Sequence, residues 1–405
     1  MPVRLVAASI ALLFVAALGQ GHTSSDDWGF FAHKRINRMA VFTLPAELIG
    51  FYKPHIEYVT EHAVDPDMRR YATKFEGPRH YMDMDHFGTY PFPKVPRDWT
   101  GALMQYTTIR VAEAGGDTVR WTVDTLPDEE VRVRLGRHER TVADRDYRRF
   151  FRTHVEFNYY EDPWTFDCTV LDAFFGEDVD CAGIQIVDRL SPDGILPYHL
   201  QAMYRRLVKA FEAKDTEKIV RISAEFGHYI GDAHVPLHTT TNYNGQLTGQ
   251  RGIHAFWESR VPELFADTEY DYFVGGAKEI GDPQAYFWNV VLESHLLVDS
   301  VLLIEKDLSR RIPEDRQYCY DERLGRTVRI QCREYAAAYQ ARLNGMIENR
   351  MRDAIRSVGS VWYSAWMAAG QPALDGMAVV SEDEAAQKTL RQQYQTGAIK
   401  GRDHR

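Results

Sequence analysis

Apolar positions recur at helical spacing along most of the chain, and the interruptions between them mark its elements. Phe30, Phe31, Ile36, Met39, Ala40 and Phe42 follow a Ser24-Ser25-Asp26-Asp27 cluster and stop before Pro45, which predicts a capped helix carrying His33. A second helical region runs from Pro45 to about Val64 and is broken by Asp65-Pro66. Gly77-Pro78 follows, so Asp65 and His80 fall on or beside loops. Further on, Leu200, Met203, Tyr204, Leu207, Ala210 and Phe211 make one apolar stripe, and Ile219 to Ala233 carries another. Two more long helices are expected, roughly Pro283 to Leu308 and Arg333 to Gly370. Between about 90 and 190 the pattern changes. Pro91, Pro93 and Pro96, Gly115-Gly116 and the alternating segments Val119 to Val123 and Val131 to Leu135 read as an inserted segment with some strand. The expected fold is all-α: a multi-helix domain over 21–380 carrying that insertion, then a polar tail over 381–405.

Composition adds a class and a compartment. The 405 residues are 44% hydrophobic and 26% charged, which excludes a wholly disordered or collagen-like chain. The net charge of −10 argues against non-specific adhesion to a phosphate backbone as the main work, while leaving room for a cationic metal site. Arg4 precedes an apolar run from Leu5 to Leu18, and Ala16, Ala17 and Gly19 suit cleavage, so residues 1–20 read as a signal peptide for a secreted or periplasmic protein. The alternative, an N-terminal anchor, would need roughly 20 apolar residues. Later, Ala285 to Ile304 carries Glu293, His295 and Asp299 and reads as a buried or amphipathic helix, so no stable membrane span is expected. Cys168 with Cys181 and Cys319 with Cys332 form two local pairs that read as disulfides in an exported chain, although four cysteines allow three connectivities. The arginines from Arg132 to Arg152 lie among acids and read as a salt-bridged surface.

The chemistry concentrates between 227 and 260. His228 and Asp232 are four residues apart and point from one helix face toward the same spot, a geometry that suits a metal. Pro236 should end that helix and leave His238 on the exit loop. A second pair at the same spacing, His254 with Glu258, precedes Pro262, which is expected to close its own short helix. Each pair alone is ordinarily a hydrogen-bonded couple. Two pairs, His238 and further upstream histidines are hard to explain as independent core residues, because buried polar groups must all find partners. Imidazole and carboxylate are the ligands of a zinc site that keeps an open position.

The whole pattern resembles the superfamily of zinc-dependent phospholipases C and single-strand-specific nucleases. The similarity spans roughly Trp28 to His86 and Pro197 to Leu264. It rests on Trp28-Gly29 with His33, on Asp65 followed by His80-Tyr81-Met82-Asp83, and on His228, Asp232, His238, His254 and Glu258. The resemblance implies an exported, all-helical phosphodiesterase fold holding two or three Zn²⁺ ions. By that carry-over Asp65, His80, His228 and Asp232 hold one ion, and His238, His254 and Glu258 a second. Asp232 bridges to a third with Trp28 and His33. Asp67 competes with Asp65, which spacing favours, and Asp83 and Asp85 are candidates to orient the imidazoles. In the family the Trp is the mature N-terminus, whereas Trp28 lies about eight residues past the apparent cleavage site; Glu258 is similar to the phospholipase branch.

The implied reaction is hydrolysis of a phosphodiester, of a phospholipid or of single-stranded nucleic acid, by zinc-activated water, with Asp65 and Asp232 as the catalytic carboxylates. An aromatic platform beside the metals would serve a nuclease and an apolar rim a lipase; Tyr243 and Asn244 of the Tyr243-Asn244-Gly245 loop, and Trp257, could serve either, although a Trp on a helix is more often core. A non-catalytic, zinc-stabilised surface or binding domain is the competing reading. A zinc protease is remote, since the chain has no H-E-x-x-H. No protein partner is evident.

Overall fold

The computed structural model describes residues 30–70, 72–323, 326–380, 384–396 and 402. The expected signal peptide and Trp28 lie outside the described residues.

The chain opens with four helices, α1 (Phe30–Val41), α2 (Ala46–Tyr52), α3 (Ile56–Glu61) and α4 (Asp65–Arg69). The region expected as one helix up to Val64 is divided by single tight turns at Lys53–His55 and His62–Val64. Pro54 accounts for the first break, since it lacks the N–H a continuous helix would use.

The next hundred residues overturn the all-α expectation. After α5 (Trp99–Tyr106) come β1 (Thr107–Ala112), β2 (Thr118–Thr125), β3 (Glu130–Leu135) and β4 (His138–Ala143). The helices α6 (Asp144–Phe150) and α7 (Thr169–Phe175) precede β5 (Gly183–Asp188). The strands form one antiparallel sheet in the order β4-β3-β2-β1-β5. Its register explains the alternation: Val131, Val133 and Leu135 face the core while Arg132 and Arg134 face outward. Arg134 pairs with Glu139 at 2.7 Å and also with Asp124, so this arginine lies in a salt-bridged surface as expected. Thr107 at the start of β1 pairs with Asp188 at the end of β5, so the module enters and leaves through adjacent strands. Cys168–Cys181 is a disulfide within it.

Two long antiparallel helices follow, α8 (Leu196–Glu212) and α9 (Thr216–Ala233), the second capped by Asp215, whose carboxylate accepts from the Lys218 amide at 3.1 Å. Then come the single turn α10 (Ile253–Ala255), α11 (Val261–Glu269), α12 (Pro283–His295) and α13 (Val298–Arg311). Residues 283–311 are apolar enough by length and composition to cross a membrane. The fold divides them into two helices at Leu296-Leu297 and buries Phe287, Trp288 and Val291 against the rest of the chain. Beyond α14 (Glu314–Gln317), β6 (Tyr318–Arg323) and β7 (Arg326–Gln331) form a hairpin tied by Cys319–Cys332, a second departure from an all-α chain. The protein is thus mixed α and β. The final helices are α15 (Arg333–Leu343), α16 (Met346–Ala368) and α17 (Glu384–Thr396). α15 and α16 were expected as one helix; Asn344 and Gly345, both left-handed at φ 50° and 76°, separate them.

The main core joins α1, α8, α9, α12 and α16 with the inner face of the sheet, and a second cluster lies between α10, α11, α13 and α15. Trp362 of α16 stacks on Tyr52 with ring centroids 4.7 Å apart. The approach of α1 to α9 is set by a buried polar clamp. Asn37 donates to the carbonyls of Val59 and Ala224, both at 2.9 Å, and a Cβ at Gly227 would overlap its amide. We expect Gly227→Ala to destabilise the protein by about 2–4 kcal/mol, through overpacking and the loss of buried hydrogen bonds. Gly50→Ala, where an added Cβ meets nothing within 4 Å, should leave the thermal midpoint within a degree or two; equal losses from the two would contradict the clamp.

Candidate metal centre

Five short stretches converge where α9 faces α1. On α9 the i, i+4 spacing sets His228 and Asp232 on one buried face, and Gly231 between them makes room for His33 of α1. A Cβ at Gly231 would come within 2.8 Å of His33 Nδ1. The His33 and His228 rings stack with centroids 4.0 Å apart. Asp67 comes from α4, His80 from the tight turn Gly77–His80 and His238 from the turn Pro236–Thr239 that Pro236 imposes after α9. His254 lies on α10 and Glu258 on a widened turn, Phe256–Arg260, of π geometry. Pro262 therefore opens α11 instead of closing a helix. Its missing N–H could not serve the carbonyl four residues back, and the wider register of the preceding turn accommodates this.

The donor atoms form three groups that could each hold a metal ion, the first two sharing His228: His33, His228 and Asp232; Asp67, His80 and His228; His238, His254 and Glu258. Within each group they lie within 4.8 Å of one another. Asp232 links them. Its Oδ2 is 3.0 Å from His80 Nδ1 and 3.4 Å from His228 Nε2, and its Oδ1 is 3.5 Å from His33 Nε2 and 3.7 Å from His238 Nε2. Glu258 spans the other side, with Oε1 3.3 Å from His33 Nε2 and Oε2 3.5 Å and 2.8 Å from the Nε2 atoms of His238 and His254.

Backbone carbonyls fix which nitrogens face inward. His228 Nδ1 donates to the Ala63 carbonyl at 2.8 Å, His238 Nδ1 to that of His80 at 2.5 Å and His254 Nδ1 to that of Tyr243 at 3.1 Å. A carbonyl only accepts, so each Nδ1 carries a proton and each Nε2 faces the cluster. Burial, and then the positive charge of neighbouring imidazoles, pushes the His80 and His228 pKa values well below the usual imidazole range. Burial also pushes the Asp232 carboxyl well above its usual range, reinforced by the carboxylates of Asp67 and Glu258. Lone pairs and carboxylates aimed at one small volume call for a shared cation, and the donor set of imidazole and carboxylate fits a divalent metal.

His33, His80, His228, Asp232, His238, His254 and Glu258 are thus brought together as the sequence pattern predicts. Asp65 is not. It accepts from His62 Nδ1 at 2.7 Å, whereas Asp67 Oδ1 stands 3.9 Å from His80 Nδ1 and 3.8 Å from His228 Nε2. One helical turn decides the matter. Asp65 and Asp67 both begin α4, about 200° apart around its axis, so only one can face α9. Asp83 and Asp85 do not orient the imidazoles. Asp83 pairs with Arg402, and Asp85 accepts from Thr240 Oγ1 and the Thr241 amide at 2.7 and 2.8 Å. Trp257 is a core residue, buried to 3% exposure, while Tyr243 stands beside the cluster with its ring 6.2 Å from that of His254. Tyr81, next to the ligand candidate His80, was not singled out by the spacing rules. Its ring and that of Tyr243 both lie against the guanidinium of Arg402, which is 3.2 and 4.7 Å from their centroids.

No protein-family model matches the chain, and no curated protein is significantly similar to it in sequence. Its own geometry therefore carries the functional argument. If Asp67 is the donor, Asp67→Ala should lower the bound metal by about one ion per chain while Asp65→Ala retains full occupancy, as read by elemental analysis after dialysis. The reverse result would restore Asp65 to the cluster.

Proposed function

We propose that the protein is an exported, zinc-dependent phosphodiester hydrolase of phospholipase C or nuclease type. The observation that carries this reading is that His228 belongs to two adjoining donor groups and that Asp232 reaches histidines of all three, because a structural zinc site is ordinarily a single closed tetrahedron. The absence of thiolate donors and the mixture of imidazole with carboxylate favour Zn²⁺. Asp67, His80, His228 and Asp232 would hold one ion, and His238, His254 and Glu258 a second. His33 with Asp232 would contribute to a third.

Bound zinc supplies Lewis acidity to an anionic, poorly electrophilic phosphodiester and lowers the pKa of a water toward about 7. The residues supply position. Asp232 fixes the spacing of the groups by directing its two oxygens to different histidines, and the three carbonyl-held imidazoles keep Nε2 turned inward. The orienting role that spacing assigns to Asp65 passes to Asp67, whose side chain is 17% exposed and so reaches solvent while touching the cluster. Asp65, held by His62, steadies the start of α4. The ring faces of Tyr81 and Tyr243 offer a surface beside the centre on which the group attached to the phosphodiester can rest. The two disulfides mark an oxidising environment outside the cytoplasm, consistent with export.

The test is zinc content together with hydrolysis of bis(p-nitrophenyl) phosphate, a phosphatidylcholine dispersion and single-stranded DNA. We expect two or three zinc ions per chain, activity abolished by chelation and restored by Zn²⁺. We also expect a loss in His228→Ala beyond the roughly 10–100-fold that outer-shell changes cost. The preferred substrate then selects the branch. Full zinc with no turnover on all three would support a zinc-stabilised binding domain instead.

A further inference from the structure

Helix α17 is amphipathic and lies against α4, the helix that carries the candidate ligand Asp67. Leu390 and Tyr394 of α17 pack on Phe30, Val64 and Met68, and the rings of Tyr394 and Phe30 are 6.4 Å apart. Gln387, on the same face, donates through Nε2 to both oxygens of Asp65 at 3.3 and 3.2 Å. α17 is thereby seated on α4, the helix that carries Asp67. A second anchor lies six residues beyond the end of α17. Arg402 Nη1 donates to Asp83 Oδ1 at 2.9 Å, its Nη2 donates to Oδ2, and the guanidinium lies over the rings of Tyr81 and Tyr243.

Those contacts coincide with the candidate centre. Tyr81 and Asp83 are one and three residues past His80, and the Tyr243 carbonyl holds His254. Asp83 is 2% exposed, and a buried carboxylate requires a cation or several donors. Arg402, from the polar end of the chain, supplies that cation. A bidentate guanidinium that also covers two aromatic faces is a specific arrangement and not a loose tail contact. The two anchors together occupy α4 on one flank and the Tyr81–Tyr243 surface on the other, the surface on which a substrate group would rest.

We infer that α17 and Arg402 are built-in restraints on the candidate centre. α17 docks on α4, and Arg402 covers the Tyr81–Tyr243 surface beside Asp83 on which a substrate group would rest, so the chain is restrained until these contacts are displaced or removed. The inference rests on the phosphodiesterase reading for its kinetic consequence, while the closure itself can be read without turnover.

Three zinc-loaded proteins test it: the full chain, a chain ending at Val380, and full-length Arg402→Ala, which retains α17. Shortening should lower the KM for bis(p-nitrophenyl) phosphate several-fold with kcat within about twofold. Arg402→Ala should fall between, and a synthetic peptide of residues 381–405 added to the shortened chain should raise KM again. Zinc removal by excess EDTA should be several-fold faster from the shortened chain than from the full chain. An unchanged or higher KM in Arg402→Ala overturns the inference, as does equal zinc release. Should the shortened chain fail to fold, Arg402→Ala alone decides, by both KM and zinc release. Faster zinc release with no hydrolysis by any of the three would refute the phosphodiesterase reading while the closure stands.

Discussion

The gathering of acceptors around Asp232 is the constraint that the rest of the architecture must satisfy. Three carboxylates and five imidazoles are held within a few ångströms, and three of the imidazoles turn Nε2 inward. In water such a group would fly apart or take up protons; inside the protein it is enforced by the three backbone carbonyls and by burial. The folding of the chain must therefore work against local repulsion at its centre, and a cation converts that cost into attraction. The arrangement has the character of a site preformed for positive charge.

Much of the remaining support comes from the helices. α9 carries Gly227 and Gly231 on the face toward α1, and these two positions let α1 approach closely enough for Asn37 to clamp three segments and for His33 to stack on His228. The glycines, the clamp and the ligand candidates lie on one stripe of α9, so the same periodicity that buries the helix also aims its chemistry. Beyond His80, Glu76 lies 3.8 Å from Nε2 and is held by Tyr229 and Arg79, which continues the polar support outward through buried side chains.

Periodicity made the helical frame and most of the donor set legible in the chain. His228 with Asp232 and His254 with Glu258 declare themselves by spacing, and Pro236 places His238. What failed had physical reasons. Alternation over Val119–Val123 and Val131–Leu135 pointed to strand, but the pairing of β1 with β5, 71 to 81 residues apart, is non-local and leaves no local signature. The hairpin β6–β7 was missed because five of its twelve strand residues are charged, which leaves too few apolar positions for an alternation to show. Asp65 and Asp67 are equally good by composition, and only the rotation of α4 against α9 separates them. The breaks at Leu296-Leu297 and Asn344-Gly345 fall inside apolar patterns that remain in phase on both sides.

The sheet module has an architectural consequence of its own. The Arg189 amide donates to the Tyr106 carbonyl at 3.1 Å, which closes the neck of the module just outside the Thr107–Asp188 pair. Some eighty residues therefore leave and rejoin the helical host at two adjacent points. Trp99 and Tyr159 pack edge to face beneath that neck, Thr100 donates to Glu156 at 2.7 Å, and the inner face of the sheet is continuous with the main core. An insertion whose two ends meet in this way can vary at its exposed turns over evolutionary time while its buried face stays fitted to the helices, so its outer surface is free to diversify faster than the candidate site.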